Sequence, residues 1–316
     1  LQLGELKEGG DLISITKLWC GRLGSGDTLR YGPDSHRRPV VVWNCTQRCN
    51  LRCVHCYSQS ENRAYTGELT TSQGVRLIHD LSDFAVPVIL FSGGEPLMRR
   101  DIFELGKLAK DLGISTVLST NGTLITRQTS YEIRGAGFSY VGVSLDGLNG
   151  NNDRFRGVQG AFKAALRGIK NCIRAGIRTG LRFTLTRYNF DDISGIFKIV
   201  EKEHISRVCF YHLVYSGRGS KLVSNDLSHP ESRVIMDQII GSAEALHSSG
   251  KDVEVLTVDN HADGPYLYLK SKENSPARAK EVLDFLRING GNSSGIGICC
   301  VDPKGGVHPD QFWQHY

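Results

Sequence analysis

The chain has 316 residues, 40% of them hydrophobic, which is enough apolar mass for two ordinary domains or one barrel-sized domain with extensions. That excludes a disordered or fibrous chain. A net charge of +5 with no dense Lys/Arg tract argues against a nucleic-acid partner. No apolar run approaches the roughly 18 residues that span a bilayer, and Leu1 to Glu5 lack the blocks of a signal peptide, so the expected setting is cytoplasmic and away from membranes.

Taken in chain order, residues 1–37 carry one apolar patch, Ile13 to Trp19, then a Gly-rich loop, and read as an extension packed on the main body of the chain. From Arg38 onward, short apolar runs alternate with longer amphipathic stretches. The predicted strands are Pro39–Asn44, Val86–Phe91, Ser115–Ser119, Tyr140–Leu145, Thr179–Thr186 and Val208–Val214. Between them, Thr70 followed by Gln73 is a capping-box start. Ala161, Ala164, Ala165, Ile169, Cys172 and Ile173 share one helical face. Six strands alternating with helices predict an α/β fold, a parallel sheet closed or partly closed into a (β/α)6 barrel over residues 38–221. Residues 222–289 read as a helical bridge without strand rhythm. Residues 290–316 read as the opening of a small Gly-rich β unit that breaks off at Trp313-Gln314-His315-Tyr316 with no closing turn.

In a parallel β/α barrel the chemistry sits at the C-terminal ends of the strands. Here those ends are Asn44 leading into Cys49, Ser92-Gly93-Gly94-Glu95-Pro96, Ser119-Thr120-Asn121-Gly122, Ser144-Leu145-Asp146-Gly147, Thr184 to Thr186, and His212. Singly, Asn-Gly and Asp-Gly are ordinary turns. Together, six apolar strands that all finish polar point to one functional mouth.

Of nine cysteines, three fall in Cys49-Asn50-Leu51-Arg52-Cys53-Val54-His55-Cys56, a C-x3-C-x2-C loop after the first strand. In a reducing compartment such a cluster reads as metal-binding. Three thiolates suit a [4Fe–4S] cubane with one iron left open. Zinc, with Cys45 or His55 as fourth ligand, and plain buried cysteines are the alternatives. Cys172 and Cys209 read as packing residues.

The cysteine loop followed by Tyr57, with Ser92-Gly93-Gly94-Glu95-Pro96 at the next strand end, resembles the radical S-adenosylmethionine (SAM) superfamily over about residues 39–215. The resemblance implies that Cys49, Cys53 and Cys56 bind the cluster, whose open iron chelates SAM and, on reduction, releases a 5′-deoxyadenosyl radical. It implies that Gly93, Gly94 and Glu95 meet the methionine amino group, that backbone near Tyr57 approaches adenine, and that Ser144 and Asp146 face the ribose or carboxylate. Asn121, Arg156 and Thr184 complete the implied SAM shell.

Lys17-Leu18-Trp19-Cys20-Gly21, Leu29-Arg30-Tyr31-Gly32, Val41-Val42-Trp43-Asn44, Gly180-Leu181-Arg182-Phe183-Thr184, Tyr215-Ser216-Gly217-Arg218-Gly219, Asp259 to Gly264 and Val307 to Trp313 narrow this further. They look like the tetrapyrrole-modifying radical SAM enzymes of alternative heme biosynthesis. The implied activity is removal of acetate side chains from 12,18-didecarboxysiroheme to give iron-coproporphyrin III, or the related side-chain removal in dioxo-isobacteriochlorin heme synthesis. The implied partners are a tetrapyrrole substrate and an electron donor of ferredoxin or flavodoxin type. Such enzymes continue into a SPASM domain with an auxiliary [4Fe–4S] cluster; here Cys299 and Cys300 offer one ligand at most, as expected of a truncated domain. His212 and Cys20 are the candidate catalytic side chains, His261 a candidate for substrate iron, and Arg182 and Arg218 candidates for substrate carboxylates. A SPASM-type peptide maturase and a non-catalytic zinc protein are the rival readings.

Overall fold

The computed structural model describes residues 12–21 and 38–313. The first piece forms β1 (Ile13–Ser14) and α1 (Ile15–Cys20); Leu29-Arg30-Tyr31-Gly32 lies outside the described residues. The second begins with β2 (Val40–Thr46), followed by α2 (Thr71–Asp83), β3 (Val88–Gly93), α3 (Ile102–Asp111), β4 (Ser115–Thr120), α4 (Arg127–Gly135) and β5 (Tyr140–Ser144). Then come α5 (Asn149–Arg156), α6 (Ala161–Arg174), β6 (Arg178–Thr184), α7 (Ile193–Lys202), β7 (Arg207–Tyr211) and α8 (His229–Ser248). The last elements are β8 (Glu254–Val258), α9 (Asp263–Asn274), α10 (Pro276–Asn289), β9 (Ile298–Val301) and β10 (Val307–His308).

Strands β2 to β8 run parallel, each beside its predecessor, as strand–helix–strand units require. This is the expected partial barrel, extended at both edges. β8 lies inside the stretch expected to be purely helical. Val255, Leu256, Thr257 and Val258 do carry a strand signal, and the run ends polar at Asp259 like the other barrel strands; the helical stretches on either side mask it. β1 pairs antiparallel with β8, β9 adds parallel to β2, and β10 folds back on β9. The extension and the Gly-rich hairpin therefore belong to the same ten-stranded sheet, among the described residues, as the barrel.

Period-two alternation sorts each strand's side chains. Val41, Trp43 and Cys45 of β2 face outward and join Ile89, Phe91, Leu118, Val143 and Phe183 in the core beneath the helices. Each helix offers that core an apolar stripe; α6 buries Phe162, Ala165, Ile169 and Cys172. The box predicted at Thr70 starts α2: the Gln73 N–H donates to Thr70 Oγ1, and the Thr70 N–H to Gln73 Oε1. Among the described residues, no helix is long and apolar enough to cross a membrane.

Inward-facing residues close the barrel at the strand starts. Tyr140 occupies the space over Gly180, where any Cβ would overlap its hydroxyl. Arg207 stacks over Tyr140 at 5.1 Å and pairs with Glu254, Nε to Oε2 at 2.7 Å. Arg207 is 2% exposed, so removing it takes the close partner from a largely buried carboxylate and leaves the looser pair with Arg178 at 3.7 Å. Arg207→Ala is expected to destabilise the fold by about 3 to 5 kcal/mol in urea unfolding, while an apolar pair replacing both residues recovers most of the loss.

Candidate active site

Where β2 ends, residues 47–59 form the cysteine loop, and the next strand ends grip its backbone. Gly94 N donates to Thr46 O at 2.7 Å and Glu95 N to Arg48 O at 2.9 Å. A Cβ on Gly94 would overlap the Arg48 carbonyl and lie 2.6 Å from that of Gln47. Only glycine admits this approach. From the other side comes Gly217, at φ +57°, where a Cβ would lie 2.5 Å from Cys56 O. Beside it, Arg218 donates Nε to Cys53 O at 2.8 Å and both terminal nitrogens to Ser60 O at 3.2 and 3.1 Å. Arg218 thus braces the loop and is turned away from the substrate-carboxylate role the sequence offered it.

The loop sets Cys49, Cys53 and Cys56 in one apolar nest with Leu51 and Ala161. Polar donors reach the sulfurs. Asn121 Nδ2 lies 3.8 Å from Cys49 Sγ, Leu51 N donates to the same sulfur at 3.4 Å, and Arg156 Nη1 donates to Cys53 Sγ at 3.6 Å. Burial pushes the Cys49 thiol up to about 12 and that of Cys53 upward as well, so a bound cation has to draw the thiolates out. Three soft donors, two of them met by N–H groups and Cys56 by the Ser58 hydroxyl at 3.3 Å, with no carboxylate between them, fit an iron–sulfur cluster. Among the described residues no three His, Cys, Asp or Glu side chains close to the spacing of one metal ion; in a cubane each cysteine takes its own iron.

Glu95 is fully buried and its carboxylate is occupied within the chain. Oε1 accepts from Thr120 Oγ1 at 2.7 Å and Leu97 N at 3.1 Å, and Oε2 from Asn121 N at 2.8 Å. It clamps the end of β3 to the end of β4, and burial pushes its pKa up against those three donors.

Tyr57, Ser144, Asp146, Arg156, Thr184 and His212 converge on the walls of one cavity of about 810 Å³ at the mouth of the barrel. Asp146 organises one side: Oδ1 accepts from Thr184 N at 2.6 Å, while Oδ2 lies against the Arg156 guanidinium in an ion pair. His55 Nε2 stands 3.6 Å from the same carboxylate, and its ring stacks on Phe155 at 4.5 Å. Burial outweighs that carboxylate and pushes the His55 pKa down to about 4, leaving the ring neutral. Tyr57 donates its hydroxyl to Asn44 Oδ1 at 2.9 Å and meets Phe312 edge-on at 5.4 Å. Below, a second hollow of about 1180 Å³ shares Val42, Leu90, Arg182 and Tyr211 with the first and descends between Val40, Val88 and Val117. Arg182 reaches across the interior to donate to Ser119 Oγ, over Gly142, which leaves room for it.

Other sequence candidates lie elsewhere. Cys20 closes α1 on the helical outside of β8 and is not among the cavity-lining residues. Cys45, proposed as a zinc ligand, faces the outer core and donates its thiol to Ser92 O at 3.3 Å. Cys209 is inward-facing and packs with Leu12 and Leu256. Sequence reasoning missed two supports. Asn189 Nδ2 donates to Asp146 O at 3.0 Å and Thr184 O at 2.8 Å. Asn260, just past β8, donates Nδ2 to Asp263 Oδ1 at 3.0 Å, and Asp263 Oδ2 holds His212 Nε2 at 3.0 Å. Neither asparagine ends a predicted strand, so the strand-end reading passed over both.

The model of the radical SAM superfamily matches residues 43–200, the stretch that carries the cysteine loop and the Glu95 turn. The chain belongs to the radical SAM superfamily. Within it, the chain is 54% identical to the Fe-coproporphyrin III synthase of Methanosarcina barkeri over 96% of its own length and 79% of that protein's. It is 42% identical to the pre-heme d1 synthase of Dinoroseobacter shibae, over 88% of this chain and 70% of that protein. These relatives place it with the heme-synthase branch of radical SAM enzymes. Streptococcus suis SuiB, solved with S-adenosylmethionine bound, has the same fold at a TM-score of 0.69 and 17% identity; the match covers 87% of this chain, which spans 60% of that one. The family implies a [4Fe–4S] cluster and SAM, and the nest of Cys49, Cys53 and Cys56 suits the first.

Proposed function

We propose that this radical SAM enzyme removes the two acetate side chains of 12,18-didecarboxysiroheme to give iron-coproporphyrin III. The observation that carries the reading is the continuous hollow. A chamber beside the cysteine loop shares Val42, Leu90, Arg182 and Tyr211 with a lower one that has an apolar wall of Val40, Val88, Val117 and Leu90 and a polar wall of Asp259, His261, Asn292 and Asp310. A flat macrocycle with an apolar ring and a polar rim suits walls that are mixed in this way, and the Methanosarcina relative supports the choice. Bound there, the cluster and SAM supply hydrogen-atom abstraction. This chain's residues do the rest. Cys49, Cys53 and Cys56 hold the cluster, and Gly93 and Gly94 bring backbone up to the methionine end of SAM. Arg156 and Asp146 fix the floor beneath its polar groups, with Ser144, Thr184, Asn121 and Tyr57 around them. Arg182 offers a fork for a substrate carboxylate. The enclosed walls orient one C–H bond and keep water out.

The proposed electron donor is a ferredoxin or flavodoxin. For an auxiliary cluster, Cys300 and Cys299 take opposite faces of β9: Cys300 accepts from Asn44 Nδ2 at 3.4 Å, and Cys299 packs against the outer core. One of them at most can serve such a site.

The test is an anaerobic assay with the reconstituted cluster, SAM, dithionite and didecarboxysiroheme, read by mass spectrometry. The expected result is 5′-deoxyadenosine together with loss of both acetates. Deoxyadenosine without any change in the tetrapyrrole sinks the substrate assignment.

A further inference from the structure

Among the described residues, His55, His212 and His261 line one or other of the two hollows, and their surroundings differ. His55 is pinned between Asp146 and the face of Phe155, within the cysteine loop. His261 is exposed and borders only the lower hollow. His212 forms part of the upper chamber's wall with its side chain 11% exposed, at the end of β7. Its backbone N–H is tied to Val258 O at 3.0 Å, so the ring is rooted between β7 and β8.

Asp263 sits in the first turn of α9, 2% exposed, with Oδ1 taken by Asn260 and Oδ2 3.0 Å from His212 Nε2. A carboxylate only accepts, so Nε2 carries the proton and the electron pair is on Nδ1, at the ring edge away from Asp263. Asn260 Nδ2, which donates to Asp263 Oδ1, lies 3.4 Å from Nδ1 and 3.5 Å from Nε2, both longer than a good hydrogen bond. An imidazole with one N–H held by a buried carboxylate, on a residue that lines a cavity, is the arrangement that metal-ligating histidines use. Among the described residues no third His, Cys, Asp or Glu joins His212 and Asp263 to hold a metal ion; on the tetrapyrrole reading the substrate itself brings one.

We infer that His212 ligates the iron of the tetrapyrrole through Nδ1, and that Asp263 is the positioning residue that fixes its tautomer. The inference rests on the tetrapyrrole reading. His212 thereby replaces His261 as the residue that meets substrate iron, and it sets the depth of the macrocycle in the barrel by a coordinate bond. The bond uses the Nδ1 electron pair and displaces whatever ligand the iron brings, with no change in oxidation state.

The test compares ferric Fe-coproporphyrin III with iron-free coproporphyrin III as probes of the cluster-loaded full chain. The wild-type protein is expected to bind the iron form more tightly and to give it a histidine-ligated spectrum by absorption and electron paramagnetic resonance. His212→Gly is expected to lose that spectrum and about 10-fold in affinity for the iron form only, with added imidazole restoring both. Asp263→Asn is expected to shift the spectrum and weaken iron-form binding by about 10-fold. Equal preference for the iron form in wild type and His212→Gly, with an unchanged iron spectrum, overturns the assignment while leaving the tetrapyrrole reading intact. Failure of the wild type to bind either probe overturns the tetrapyrrole reading and this inference together. Cluster content and thermal melting of each variant separate ligand loss from misfolding.

Discussion

Gly94→Ala is expected to empty the cluster site. The added methyl overlaps the Arg48 carbonyl and crowds that of Gln47, and both atoms are backbone, so no side-chain rotation relieves them. Either the loop carrying Cys49 moves or the turn at Gly94 and Glu95 does. Both of the hydrogen bonds that join them, Gly94 N to Thr46 O and Glu95 N to Arg48 O, are then at risk. A displacement of about 1 Å at reacting groups costs on the order of 100-fold in rate. We expect iron and sulfide content to fall sharply and 5′-deoxyadenosine formation to drop by at least about that factor. Gly241→Ala, inside α8 with nothing within 4 Å of the added Cβ, is the control and is expected to stabilise by about 0.4 to 1 kcal/mol. Full cluster loading in Gly94→Ala would show that the loop adapts, and that the contact is incidental.

The second large effect is expected at Asp146. Its carboxylate is fully buried, accepts from Thr184 N and neutralises Arg156, whose own guanidinium reaches Cys53 Sγ. Asp146→Ala leaves Arg156 charged and buried without its counter-ion, a loss of about 3 to 5 kcal/mol. Because Arg156 also touches the sulfur of Cys53, a proposed cluster ligand, the damage is expected to reach the chemistry and not only the melting temperature. Asp146→Asn keeps the shape and one acceptor but not the charge. It is expected to retain more stability than Asp146→Ala while losing turnover about as severely. Chemical denaturation and deoxyadenosine production, measured on both variants, separate the two roles. Wild-type turnover in Asp146→Asn would mean that the charge is unnecessary.

Much of this is legible in the residues alone. Strands that start apolar and end polar announce both the parallel sheet and its functional mouth, because a barrel strand is buried along its length and meets ligand only at its end. That logic finds Ser144, Asp146, Thr184 and His212, and the cavity gathers all four. It passes over β8 and β9. Val255-Leu256-Thr257-Val258 is a β-rich run that ends polar at Asp259, a local signal masked by the helical stretches around it, whereas Ile298 to Val301 is a strand because β2 has an open edge. The second is a tertiary cause that a local pattern does not hold. Arg218 and Glu95 escape it for a related reason. A charged residue in a motif reads as ligand-binding, yet both spend their polar atoms on neighbouring backbone and hydroxyl groups.

The edge pairing of β9 with β2 also has a bearing on how the molecule is made. Val41 and Cys299 lie side by side though they come from opposite ends of the described chain, and Leu69 N donates to Pro303 O just behind the cysteine loop at 2.8 Å. Contacts of such long sequence separation form late, because loop closure must precede any gain from them. During synthesis β2 emerges long before β9, and its outer edge stays unpaired until the ribosome has delivered the hairpin. An open strand edge is a template for pairing with another chain. The late hairpin thus caps a surface that would otherwise invite association between unfinished copies.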